Sequence, residues 1–254
     1  MNDAVRKQGI LLLLFITAGI FFLAFSINNI SENKIEIIEL NGDSYLSKDL
    51  YFRFAGLDKK ESYPSLNLAI IKDRIEKHPY VEKAYIKNEK SKVVIEIEEK
   101  EVDAVVYSRD KAYLITNKNK LLPLLQYTEN INFPVIKNPD VDKDGGLDIK
   151  NEDLLTALKI IKAIQFANPA MFEDLSEIDL RYGKDIVAYF TSLNYPVVLG
   201  RHNEIKKILY FDSFWSMVKG NSANDMISYA DLRYNKQLIV GLINSGTSNG
   251  NKEI

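Results

Sequence analysis

Residues 65–101 read SLNLAIIKDRIEKHPYVEKAYIKNEKSKVVIEIEEKE, and the hydrophobic period changes partway along them. Leu68, Ile71 and Ile75 recur at i, i+3 and i+7, one face of a helix opening near Ser65 or Asn67. Lys72, Asp73, Glu76 and Lys77 fall on its other face. His78-Pro79 ends the helix, because the residue before a proline disfavours αR. From Tyr80 onward the period is two. Tyr80–Lys87 reads as a strand, Asn88-Glu89-Lys90-Ser91 as a hairpin turn, and Val93, Ile95 and Ile97 alternate with Val94, Glu96 and Glu98 in a second strand with one wet face. Glu96, Glu98, Glu99 and Glu101 make an acidic run, read here as the solvated side of an edge strand.

Upstream, KIEIIEL at 34–40 alternates polar and apolar, with Ile35, Ile37 and Leu40 or Ile38 as buried candidates. It ends at the turn Asn41-Gly42. Ser47 is a candidate N-cap for a helix over Lys48–Phe54, stopped at Gly56. Residues 34–101 therefore read β-α-α-β-β. Downstream, 104–244 is a second, β-rich block with candidate strands at Ala104–Tyr107, Ala112–Thr116, Lys120–Leu124, Ile178–Tyr182, Ile186–Phe190, Tyr195–Leu199, Met226–Leu232 and Gln237–Ile243. Two helices interrupt it: Glu152–Gln165, carrying Leu154, Leu158 and Ile161, and Ile205–Val218, carrying Ile208, Phe211 and Trp215. Residues 137–150 read as a loop and 245–254, SGTSNGNKEI, as a disordered tail. The fold class is α+β, and no internal repeat suggests a solenoid.

Ahead of both blocks the chain changes character. Gln8 to Ser31 carry no charge, in a protein that is 27% charged. A helix over the apolar run Gly9–Ile27 would span roughly 30 Å, the thickness of the hydrocarbon core. Arg6 and Lys7 precede it, and Glu32, Glu36, Glu39 and Asp43 follow with Lys34 opposing. The basic flank stays in the cytoplasm. This predicts a cytoplasmic tail over 1–8, a transmembrane helix over 9–28 and an exported remainder. A cleaved signal peptide is the competing reading, with Ala24-Phe25-Ser26 as a loose cleavage pattern; the apolar run exceeds the usual h-region of about 7–15 residues.

Composition mainly excludes. The net charge of −2 lacks the basic surplus of a nucleic-acid binder. With no Cys there are no disulfides, thiolate zinc sites, thiol nucleophiles or lipidated cysteines. The two histidines, His78 and His202, lie far apart without companion ligands and read as structural or solvent-facing. Asp179 with Asp185, or Glu173 with Asp174, could be imagined as acid pairs, but spacing cannot place them across a substrate. Trp215 and the 14 tyrosines fit core and interface packing. No catalytic, metal-binding or cofactor-binding residue is assigned, and no small-molecule substrate is expected.

The order of tail, anchor, β-α-α-β-β module and mixed β domain resembles the bacterial cell-division family FtsQ/DivIB. In the first module the resemblance rests on Asn41-Gly42, Ser47 opening a helix, Pro79-x-Val81-x-x-Ala84-x-Ile86, and Ile95-x-Ile97-x-Glu99 followed by Ala104. In the second it rests on Tyr113-Leu114-Ile115, Phe133-Pro134-Val135-Ile136, Pro196-Val197-Val198-Leu199-Gly200 before a helix with Lys206, Lys207 and Leu209, and Tyr229-Ala230-Asp231-Leu232-Arg233-Tyr234. The chain departs from the family's pattern at turns. Lys90 or Ser91 stands where a Pro is common, Val102 replaces a boundary Pro, and Thr116-Asn117-Lys118-Asn119 replaces an Asp-x-x-Gly turn.

The resemblance implies an FtsQ-type POTRA domain at 34–101 and a β domain at 104–244. It implies a non-enzymatic divisome scaffold, anchored in the inner membrane with its domains in the periplasm at the septum. It also implies partners of the FtsL and FtsB (DivIC) type, captured by strand addition at the C-terminal sheet edge. Tyr234, Lys236, Gln237, Leu238 and Val240 map to that region, and Lys236 would guard the edge against self-pairing. Two other functions are compatible with single features. An outer-membrane POTRA transport or assembly factor needs a cleavable signal and a C-terminal barrel. A membrane-anchored envelope enzyme needs a convergent polar site.

One motif stands outside this reading. Asp140-x-Asp142-x-Asp144-Gly145-x-Leu147-Asp148 matches the first nine positions of an EF-hand loop. Position twelve is Asn151, with Glu152 one residue late, and Phe133-Pro134 and Pro139 preclude a preceding helix. The loop reads as a solvated acidic turn. Calorimetry with Ca²⁺ is expected to show no binding heat and no shift in Tm; a saturable heat would restore the ion.

Overall fold

The structure, a computed structural model, describes residues 9, 12–22, 35–108, 111–140, 147–234 and 236–243. Residues 12–22 are helical, with Leu12 to Ile16, Ile20, Phe21 and Phe22 exposed. Among the described residues no helix is long and apolar enough to cross a membrane. Residues 10, 11 and 23–28 of the expected span, residues 141–146 of the acidic loop and the tail from 244 lie outside the described residues.

The first domain is built from β1 (Ile37–Asn41), α1 (Lys48–Ala55), α2 (Leu68–Glu76), β2 (Val81–Glu89) and β3 (Lys92–Glu99). Asn67 caps α2 by accepting the Ile70 N–H. Ser47 stands at the N-cap of α1 but its side chain makes no capping bond. Gly56 ends α1 in the left-handed region, as its glycine allows. The strand order is β1-β3-β2, with β1 parallel and β2 antiparallel to β3. β3 is therefore the central strand, which corrects the edge-strand reading of its glutamates. The two-helix crossover returns the chain on the far side of β3's position, so β3 fills the gap between its neighbours.

The inward set on β1 also differs from one sequence option. Ile38 and Leu40 are buried with Ile35, whereas Ile37 is half exposed. Pairing of Ile38 with Val93 and Leu40 with Ile95 fixes this parity, and a one-residue slip would invert it. The hairpin turn is tighter than expected, with Lys90 at φ 60° between the strand ends. Glu96 is exposed and pairs with Lys87 at 3.2 Å. Glu99 points inward. Its carboxylate accepts the N–H groups of Ser44 and Tyr45, both at 3.1 Å, and the Tyr51 hydroxyl. Burial and the neighbouring Glu99 push the Tyr51 phenol well above its usual range. Gly42 makes the approach possible: its φ is +88°, and a Cβ there would lie 2.2 Å from the Ile97 carbonyl oxygen.

The second domain adds β4 (Val102–Ser108), β5 (Lys111–Thr116), β6 (Leu121–Pro123), β7 (Val135–Lys137), α3 (Glu152–Ala167), α4 (Pro169–Asp174), β8 (Leu175–Asp179), β9 (Ile186–Phe190), β10 (Val197–Gly200), α5 (Glu204–Val218), β11 (Ile227–Asp231) and β12 (Ile239–Leu242). The nine strands form one sheet in the order β12-β11-β10-β9-β8-β7-β4-β5-β6. α3 and α5 cover one face, burying Leu154, Leu158 and Ile161 with Ile208, Phe211 and Trp215 against Ile136, Ile178, Ala188 and Val197. Each fully buried aliphatic side chain contributes about 1.5–3 kcal/mol. Asp174 ties the layers together. It accepts from the Trp215 indole at 2.8 Å, the Ser192 N–H at 2.9 Å, and the Thr191 and Ser192 hydroxyls. Burial opposes its charge, but these bonds overcome it and hold the carboxyl below its usual range.

Two elements were not anticipated, and one was misplaced. β7 is three residues long, too short for a periodic signal, though it overlaps the phrase Phe133–Ile136 that carried the resemblance. α4 did carry a signal: Asn168 caps it and Pro169 opens it. β8 begins and ends three residues earlier than Ile178–Tyr182. Arg181 and Tyr182 sit at φ 49° and 54°, which no strand accommodates.

The far side of β4–β6 is the floor of the first domain's core. Val105, Leu114 and Leu122 join Ile71, Ile95 and Tyr51 in one buried cluster. Tyr80 is the hinge pin. Its hydroxyl donates to the Pro123 carbonyl at 3.1 Å, receives the Leu125 N–H at 2.8 Å and meets Thr128 Oγ1 at 2.9 Å. Beside it His78 is 2% exposed, packed against the rings of Tyr51, Phe54 and Tyr80, and its Nδ1 accepts the Tyr80 N–H.

Burial, with Lys100 nearby, lowers the His78 imidazole to about 4. The unfolded chain then binds that proton more tightly than the folded one. The contribution of His78 is thus fully present above pH 6.5 and is lost as pH falls toward 4. Urea unfolding at pH 7 and pH 4.5 should show His78→Phe losing about 1–3 kcal/mol less on acidification than the parent chain.

Candidate functional site

β10, α5 and β11 form a crossover in which the two strands are parallel, Val197 beside Ala230 and Val198 beside Asp231. The carboxyl ends of β10 and β11 and the start of α5 therefore converge at one place. A cleft of about 450 Å³ opens there, lined by Arg201, His202, Lys206, Lys207, Arg233 and Lys236 among others. Among the described residues no acidic one lines it.

Three of these cations are already committed within the fold. Arg201 pairs with Asp153 at 2.5 Å and donates to the Lys184 carbonyl. Lys207 donates to the carbonyls of Leu199 and Arg201, capping the end of β10. Arg233 holds Asp231, 4% exposed, through its backbone and guanidinium N–H groups, and reaches Asp185 at 3.0 Å. Those bonds hold the Asp231 carboxyl below its usual range. Gly200 leaves the space for this: at φ +66°, a Cβ on it would meet Arg233 Cγ at 2.7 Å. Lys206 and Lys236 have no ion-pair partner among the described residues. The cleft thus keeps uncommitted positive charge, which suits an acidic segment.

The cleft borders the end of the large sheet. β12 lies outside β11 and, among the described residues, has no strand beyond it. Its free side follows from the ladder. The N–H groups of Ala230 and Leu232 bond to Pro196 and Val198 on the β10 side. Tyr229 and Asp231 consequently face β12, opposite Gly241 and Ile239. The backbone groups of Val240 and Leu242 point away from the sheet.

The five sequence-assigned residues separate around this edge. Val240 is on the strand, faces its backbone outward and packs its side chain against the core. Leu238 also packs there but precedes the strand. Gln237 lies in the turn, its N–H bonded to the Tyr234 carbonyl. Lys236 is at φ 57° in that turn, so it flanks the edge instead of sitting on it. Tyr234 is 54% exposed and lines the cleft with Lys236 and Gln237. The strand starts two residues later than Gln237, because the bonded turn occupies the intervening positions. Sequence reading passed over Arg201, Arg233 and Leu242 as contributors. The available signal was Val-Val-Leu-Gly running into a helix, a pattern that places a helix start at a strand's carboxyl end.

Other candidate chemistry does not assemble. Among the described residues no group of three His, Asp or Glu could hold a metal. His202 stands at the cleft with φ 67° and His78 is buried in the first domain. Gly246-Thr247-Ser248-Asn249-Gly250 does spell Gly-x-Ser-x-Gly. It lies outside the described residues.

Residues 33–100 match the family model "POTRA domain, FtsQ-type". No curated protein is significantly similar to the chain. Among solved structures, the major extracytoplasmic domain of the trans isomer of the cell division protein DivIB from Geobacillus stearothermophilus is similar at 18% identity. That match covers 49% of this chain and 98% of the other, with a TM-score of 0.30.

The committed and uncommitted cations should differ on substitution. Arg233→Met leaves the buried Asp231 carboxylate without its guanidinium partner and should lower the urea midpoint measurably. Lys236→Met should stay within about 0.5 kcal/mol of the parent.

Proposed function

We propose, from the match of residues 33–100 to an FtsQ-type POTRA domain, that this chain is of the FtsQ/DivIB type and is a non-enzymatic division scaffold. It is anchored in the inner membrane by residues 9–28, with 1–8 in the cytoplasm and both folded domains outside. It recruits small bitopic division proteins of the FtsL and FtsB (DivIC) type to the septum. The observation that supports this most is the free edge of β12 beside a cleft with uncommitted positive charge. An incoming strand pairs with the outward N–H and C=O groups of Val240 and Leu242. Each such hydrogen bond nets only about 0.5–1.5 kcal/mol, so side chains must add to it. Lys206 and Lys236 supply that addition for an acidic partner segment and speed its approach.

The outward edge can be tested without disturbing the sheet. Leu242→Pro removes one outward N–H and leaves the Ile239 and Gly241 bonds to β11 in place. The variant should fold with a near-parental Tm, lose co-purification with FtsL- and FtsB-type partners, and fail to relieve the filamentation expected on depletion of the protein. Undiminished co-purification would count against edge pairing, and normal septation after depletion against a division role.

A further inference from the structure

The edge of β12 contains a glycine, and a neighbouring ring fills the space its side chain would take. Gly241 lies opposite Tyr229 of β11. A Cβ built on Gly241 would meet the Tyr229 ring at 2.2 Å from Cε1, 2.6 Å from Cδ1 and 2.7 Å from Cζ. The ring therefore lies across Gly241, on the face of the sheet turned away from α3 and α5. Tyr229 remains 41% exposed and Ile239, two residues along the same face, 39%. The helix-facing positions Val240 and Leu242 alternate with this pair.

This arrangement sets a condition on any strand that joins the edge. Val240 and Leu242 provide the hydrogen-bonded positions, so in an antiparallel addition the residue opposite Gly241 takes a non-hydrogen-bonded position. At such positions the Cα atoms approach to about 4.5 Å and the side chains come closest. With no side chain on Gly241, the incoming residue meets the Tyr229 ring directly, with Ile239 alongside. A ring over a glycine replaces lost cross-strand packing and leaves an aromatic face for the next strand.

Resting on the strand-addition reading above, we propose that Tyr229 and Gly241 form a specificity-determining subsite that selects partner strands carrying an aromatic or large aliphatic residue opposite Gly241. The same two residues set the partner's register. A slip of one position turns that residue to the helix-facing side and places its neighbour on the ring.

The test uses the full chain in lipid nanodiscs with a nine-residue strand appended after Ile254 through a Gly-Ser linker. The central residue of the strand is Phe, Leu or Ser. The linker holds the probe at a high effective concentration, and hydrogen exchange at the Val240 and Leu242 amides reports pairing. Protection should rise with the appended strand and be about three- to ten-fold greater for Phe than for Ser, with Leu between. In Tyr229→Ala the Phe and Ser strands should become equivalent. Gly241→Ala, which displaces the ring, should do the same, and it serves as the deciding variant if Tyr229→Ala speeds exchange at Ile239 and Gly241 themselves. Equal protection by all three strands in the parent chain overturns the subsite while leaving edge pairing intact. No protection by any strand overturns edge pairing and the subsite with it.

Discussion

The contact that the architecture depends on is the burial of Val105, Leu114 and Leu122 beneath the first domain. These residues lie on strands of the large sheet, yet their side chains complete the core built by Ile71, Ile95 and Tyr51. Alternation along β4 and β5 makes this possible: Ala104, Val106 and Ile115 turn toward the helices while Val105 and Leu114 turn the other way. One sheet thereby serves two cores. The three hydrogen bonds at the Tyr80 hydroxyl, and the Glu129 N–H to Tyr45 carbonyl bond at 2.7 Å, fix the angle between the two bodies. The POTRA domain thus stands against the β4–β6 end of the sheet, and β12 is at the opposite end.

The carboxylates turned inward at three junctions follow one rule. Glu99, Asp174 and Asp231 are each drawn inward, and each is met by several donors. Each sits where two segments must be held together: a loop to α1, a β-turn to α5, a strand end to the cleft. A buried carboxylate left without those donors would cost more than the bonds contribute, which makes these junctions specific as well as stable. The same economy separates the cleft's cations. Arg201, Lys207 and Arg233 hold the scaffold in place, while Lys206 and Lys236 have no ion-pair partner among the described residues.

Much of the fold could be read directly from residue patterns. Leu68, Ile71 and Ile75 announce a helix, and Val93, Ile95 and Ile97 a strand, because helical and extended backbones impose periods of 3.6 and 2 on whatever faces a core. The β9 range was legible to the residue, since Ile186–Phe190 is a compact apolar run between turn residues. Gly56 was legible as a helix stop and is found at φ 64°. β7 was not, because three residues carry no period. The end of β8 was not, because the turn is fixed by the Tyr182 N–H donating to the carbonyl of Asn138, a residue distant in sequence, beside the local bond from the Arg181 N–H to the Asp179 carboxylate.

The sequence by itself determined the class of the molecule: an uncharged apolar segment, a β-α-α-β-β module resembling the FtsQ type, a mixed β domain, and no cysteine chemistry. These follow from local composition and periodicity, which each short segment carries alone. Tertiary structure decided which strand is central, which is last, and which way the last strand's backbone faces. Glu99 changed from a surface charge to a clamp only because β1 closes on β3, and Gly241 became part of an edge subsite only because Tyr229 lies across it. Strand order and side-chain approach arise from pairings between residues far apart in the chain, and no local pattern encodes those distances.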